Sequence, residues 1–131
     1  MDNQNNKLNE DKIPLVYSCS GCSNIAQLAN DIAVKMDREG FAEMSCIAGV
    51  GGNVKPLVRK AQSGRKIIAI DGCVLKCTKS CLNAIGIEPD FHFVLTDFGL
   101  KKEYHRDFET NKVNEIIEIL NEEVAAADLH V

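Results

Sequence analysis

The stretch Arg65-Lys66-Ile67-Ile68-Ala69-Ile70 limits what this chain can fold into more than any other. Its apolar run is unbroken from Ile67 to Ile70 and is bounded by Gly64 on one side and Asp71-Gly72 on the other. A strand that is apolar at every position, rather than at every second one, is buried on both faces. That situation belongs to parallel sheets with helices packed above and below.

The rest of the chain supplies the helices such a sheet needs. "IPLVYS" at 13–18 reads as a first strand, and Ile25, Leu28, Ala29, Ile32, Ala33 and Met36 then follow the three-four spacing of an amphipathic helix that Gly40 ends. "FAEMSCIAGV" at 41–50 reads as a second strand, with the glycines of "GVGGN" making a loop after it. Pro56 suits the first turn of a helix whose apolar face is Val54, Leu57, Val58 and Ala61. After the central strand the spacing predicts a helix from Val74 to Ile85, stopped by Gly86, and then "FHFVLT" at 91–96 as a fourth strand. A charged connection, "DFGLKKEYHRDF", leads to a last helical stripe of Val113, Ile116, Ile117, Leu120 and Val124.

Strands alternating with helices predict an α/β fold: a three-layer sandwich, with a mostly parallel sheet of about four strands in the order 2-1-3-4 and helices on both faces. One domain is expected over residues 13–125, between a polar, disordered N-terminal tail at 1–12 and a short C-terminal tail at 126–131.

The formal charge of −4, with Lys and Arg scattered, leaves no electrostatic footprint for nucleic acid. No apolar run approaches the roughly 20 residues of a membrane span, and the N-terminus lacks the basic-then-apolar order of a signal peptide. A cytoplasmic setting is therefore expected. There, 6 cysteines in 131 residues point to metal binding or thiol chemistry rather than to a disulfide scaffold.

In a sheet of this order, ligands bind beyond the carboxyl ends of the strands where strand order reverses. Cys19 and Cys22 follow the first strand, Cys46 lies near the end of the second, and Cys73 follows the third. Strands one and three are neighbours, so the Cys19-x-x-Cys22 pair and Cys73 should meet there. On a helix, Cys73 and Cys77 would start about 6 Å apart and Cys73 and Cys81 about 12 Å. With zinc–sulfur bonds of about 2.3 Å, one ion can take the nearer pair but not the farther. Cys81 also shares a stripe with Val74, Cys77, Thr78, Leu82 and Ile85, and so reads as core.

The metal ligands expected are therefore Cys19, Cys22, Cys73 and Cys77, with Cys46 the alternative to Cys77. Zinc is the expected ion, another thiophilic metal the variant. A fifth cysteine nearby would ease ligand exchange, which fits handing metal to a protein partner. The plainer reading, reduced core thiols, suits Cys46 and Cys81 better than Cys19 and Cys22, which stand in a Ser/Gly/Asn-rich turn. The rival chemistry is a thiol–disulfide oxidoreductase or redox sensor using Cys19, Cys22 and Cys73, each near the positive end of a helix. More thiols are present than a redox pair requires.

Other features carry less. The turn Cys19 to Asn24 has no Arg to clamp a phosphoryl group, and "GVGGN" lacks the spacing and the Lys of a P-loop. Asp71 and Asp97 read as capping or turn residues, with catalysis or water-bridged contact to thiolates the alternative. His92, His105 and His130 show no ligand-like spacing and are given no role.

Asp71-Gly72-Cys73, with "YSCSGCSN" before it, "MSCIAGVGG" between and "LTDFG" after, resembles the DGC-domain family over about residues 13–104. That resemblance implies a zinc site whose chelators would be drawn from Cys19, Cys22, Cys46, Cys73 and Cys77. It implies no particular biochemical role.

Overall fold

The computed structural model describes residues 13–129, so the tail expected at 1–12, and residues 130–131, lie outside the described residues. Four strands, β1 (Leu15–Ser18), β2 (Glu43–Met44), β3 (Ile67–Asp71) and β4 (Phe91–Val94), alternate with helices α1 (Asn24–Arg38), α2 (Ile47–Gly51), α3 (Lys55–Ala61), α4 (Cys77–Ala84) and α5 (Asn111–Leu129). The sheet is parallel throughout and ordered β2-β1-β3-β4, as the sequence predicts. β1 and β3 run side by side from Leu15 opposite Ile67 to Ser18 opposite Ile70, which fixes where their carboxyl ends emerge.

β3 is buried along its whole length because each face feeds a different core. Ile68 and Ile70 join Val16 in a cluster with the apolar stripes of α1 and α5, including Leu28, Ile32, Ile117 and Leu120. Ile67 and Ala69 join Leu15 and Tyr17 in a second cluster with Val50 of α2, Ala61 of α3 and Leu82 of α4. The result is the expected three-layer sandwich.

The differences from the sequence reading are local. Only Glu43 and Met44 of "FAEMSCIAGV" pair with β1; the segment then turns into α2, which places Val50 in the second core. Part of the glycine loop expected at "GVGGN" is thus helical. β4 ends at Val94, and Leu95–Phe98 forms a 3-10 turn whose Thr96 N–H reaches the Gly72 carbonyl at 3.2 Å. α5 runs on to Leu129 and takes in residues 126–129 of the expected C-terminal tail.

The most consequential difference lies after β3. The helix starts at Cys77 rather than Val74, because residues 73–76 close a turn with Lys76 N–H on the Cys73 carbonyl at 3.1 Å and Lys76 in the left-handed region at φ 53°. Val74 and Leu75 point outward, 73% and 67% exposed, instead of lying on a packed face. Cys73 and Cys77 are therefore joined by a turn, and the helical spacing that would set them about 6 Å apart does not apply.

Candidate functional site

At the carboxyl ends of β1 and β3 the structure brings together the segments that carry the expected ligands. Cys19, Cys22, Cys73 and Cys77 all border one cavity of about 220 Å³, which Leu75, Lys102 and Tyr104 also line. Cys46 borders a different cavity, beside β2 and α1. Cys81, read from sequence as core, is partly buried against the second core and also borders a further cavity with Cys19 and Cys77.

Asp71 and Gly72 explain how the loop after β3 is held there. Asp71, 1% exposed, accepts hydrogen bonds from the Thr78 N–H at 2.7 Å and the Lys79 N–H at 3.2 Å. Those are orphan donors in the first turn of α4, which its own N-cap Lys76 leaves without a side-chain partner. From the end of the neighbouring strand, the carboxylate does what an N-cap oxygen would do, so the capping reading of Asp71 holds. It also accepts from His92 Nε2 of β4 at 2.8 Å, so His92, given no role from sequence, orients the capping carboxylate. No linear spacing signals that contact; the parallel pairing of β3 with β4 creates it.

Gly72 lies flat against the start of α1. A Cβ there would stand 2.9 Å from the backbone carbon and oxygen of Ile25 and 3.1 Å from the Ala26 nitrogen. Its own N–H donates to Cys19 Sγ at 3.2 Å. The glycine thus permits the close approach that sets Cys73 beside the Cys19–Cys22 turn.

Sequence reading left 97–108 as a plain charged connection, yet it forms the outer wall of the site. Asn24 pins it down: its Nδ2 donates to the Lys101 carbonyl at 3.1 Å, and its backbone N–H donates to the Glu103 carbonyl at 3.0 Å. Its Oδ1 accepts from the Glu103 N–H at 2.7 Å. This strap sets Lys102 Nζ 3.5 Å from Cys73 Sγ and 5.2 Å from the centre of the Tyr104 ring. The hydrogen bonds to Tyr104 and then to Cys73 push the Lys102 ammonium up from its ordinary value, so it stays charged beside the thiol.

The thiols are not equivalent. Burial pushes Cys19 up to about 11, aided by Asp71, Cys77 and Cys73 nearby and only partly offset by the Gly72 N–H. Cys22 and Cys77 are exposed. Alkylation of the reduced chain with iodoacetamide at neutral pH should label Cys22 and Cys77 early and Cys19 last, read by peptide mapping against time. The sign for stability follows. The fold favours protonated Cys19, so stability is whole below about pH 9 and declines as pH rises to about 11. Cys19→Ala should make that decline shallower in urea midpoints measured across the range.

The donor set, four thiols from two chain segments on one cavity, is one that suits a thiophilic metal. As the side chains stand, no group of three or more His, Cys, Asp or Glu among the described residues is arranged to hold an ion. Also among the described residues, no helix is long and apolar enough to cross a membrane.

The chain is 59% identical over 100 residues, 76% of each chain, to the anaerobic and virulence modulator AnvM of Pseudomonas aeruginosa. No solved structure matches. The DGC-domain model matches residues 15–120, from β1 to α5 and across every element that builds the cysteine cavity, and this chain belongs to the DGC-domain family.

Proposed function

We propose that the protein is a sulfur-based metal-binding regulator, taking one thiophilic ion, zinc first, at Cys19, Cys22, Cys73 and Cys77. The observation that carries this reading is that these four cysteines, from the two segments that follow β1 and β3, border one cavity. A zinc ion would supply a charge that keeps the thiols deprotonated and a cross-link between the loops after β1 and β3. Because the thiols are not arranged around a common centre, binding requires those two loops to draw in. The modulator name of the Pseudomonas aeruginosa relative supports a regulatory rather than a metabolic role. The apolar side chains Leu75 and Tyr104, which border the cavity and are exposed, support a protein partner that reads or receives the bound ion.

The test is metal analysis of the reduced full chain purified without added zinc, with a thiol count before and after a chelator. The expected result is one zinc per chain, with four thiols that react only once the chelator is present. A metal-free chain in which all exposed thiols react at once, and which takes up no added zinc, overturns the reading.

One observation favours a second reading, thiol–disulfide exchange: Lys102 Nζ stands 3.5 Å from Cys73 Sγ. Cys73 would attack a partner's disulfide and release one partner sulfur as a thiolate. Cys22 would then displace the other, leaving a Cys22–Cys73 disulfide and a reduced partner. In the same experiment, a metal-free chain with one fast-reacting thiol lost in Lys102→Met supports this reading.

A further inference from the structure

A second cysteine site lies across Ser20 from the first. Cys46, exposed, borders a cavity of about 340 Å³ formed between the ends of β1 and β2 and the outer part of α1. That volume falls at the small end of ligand pockets. Ser18 also borders it, is 2% exposed, and among the described residues its hydroxyl has no hydrogen-bond partner. A buried hydroxyl without a partner is costly, so a ligand group that bonds to it is favoured.

Ser20, Asn30 and Ser45 add further hydrogen-bonding groups to the walls, and Arg38 adds a guanidinium. Arg38 Nη1 is taken by Asp37 at 2.7 Å, while among the described residues its other nitrogens make no hydrogen bond. The other Asp37 oxygen is committed to the Met44 N–H at 2.9 Å. The cavity therefore offers hydroxyls, an amide and spare guanidinium donors next to a free thiol. That combination matches a small peptidic thiol, whose amides and carboxylates need such partners and whose sulfur can bond to Cys46.

We infer that Cys46 is a site of mixed-disulfide formation with a low-molecular-weight peptidic thiol, whose body occupies this cavity. The co-reactant is that thiol's disulfide, RSSR. The Cys46 thiol loses its proton to solvent, and the thiolate attacks one sulfur of RSSR. The Cys46–SR bond forms as the S–S bond breaks, and RS⁻ leaves and takes up a proton. Cys46 is not among the cysteines bordering the proposed metal cavity, so this inference stands or falls separately from the metal reading.

The test is timed reaction of the reduced full chain with oxidised glutathione and with 2-hydroxyethyl disulfide, which lacks a peptide body. Adducts are located by intact mass and peptide mapping. The ratio of the glutathione rate to the hydroxyethyl rate is expected to be at least about 10-fold higher at Cys46 than at exposed Cys22. Ser18→Ala should bring the Cys46 ratio down to that of Cys22 without changing its alkylation by iodoacetamide. Asn30→Ala, on the surface of α1, is the second variant and should lower the ratio in the same direction. Equal ratios at the two cysteines, or a Cys46 ratio unmoved by Asn30→Ala and by a folded Ser18→Ala chain, overturn the inference.

Discussion

Gly72→Ala is expected to destabilise the protein by about 3 kcal/mol, the upper end of what overpacking costs, and to weaken zinc binding with it. The added methyl would meet the backbone of Ile25 and Ala26 rather than a side-chain tip that could swing away. The only relief is to move the loop after β3 off the start of α1, which carries Cys73 away from Cys19 and Cys22. Two readouts follow: a lower urea midpoint with unchanged slope, and reduced zinc affinity in chelator competition. A variant as stable as the parent, with full zinc affinity, would show that the close approach is not what assembles the site.

Asp71→Ala should cost about 2–4 kcal/mol, since it strips a cap from α4 and leaves buried donors without an acceptor. Thr78 is fully buried, so water cannot replace the carboxylate at its N–H. Asp71→Asn keeps one acceptor oxygen and should recover about half of the loss, while His92→Ala, removing one partner of the carboxylate, should cost about 1 kcal/mol. The series is measured by urea unfolding, with far-ultraviolet circular dichroism reporting loss of the first turn of α4. An Asp71→Ala chain within 0.5 kcal/mol of the parent, the ordinary range for surface substitutions, would contradict the capping role.

These two results together give the tripeptide Asp71-Gly72-Cys73 a physical meaning. The aspartate anchors the helix that begins with Cys77, the glycine lets the turn lie on α1, and the cysteine faces the cavity that Cys19 and Cys22 share.

The fold was legible because its signals are periodic. The unbroken run of β3 marks a strand covered on both faces, and the stripes on α1 and α5 mark the layer that covers one of them. The cysteines could be placed because strand order alone sends Cys19, Cys22 and Cys73 to one sheet edge. The pairing of Asp71 with His92 could not be read, since those residues are 21 apart and only the β3–β4 register joins them. Nor could the strap over the cavity, which depends on Asn24 bonding to backbone 77 and 79 residues away. The start of α4 was misplaced for a similar reason. The apolar Val74 and Leu75 look helical in sequence, but the cap supplied by Asp71 reaches only Thr78 and Lys79, so the helix begins at Cys77.

X-ray absorption at the zinc edge, on the full chain loaded with one equivalent of zinc, tests the shared sulfur site most directly. Four sulfur neighbours at about 2.3 Å are expected, falling to three in each of the Cys19→Ser, Cys22→Ser, Cys73→Ser and Cys77→Ser chains and staying at four in Cys46→Ser. A shell dominated by nitrogen or oxygen, or a sulfur count that falls with Cys46 and not with Cys73, would contradict it.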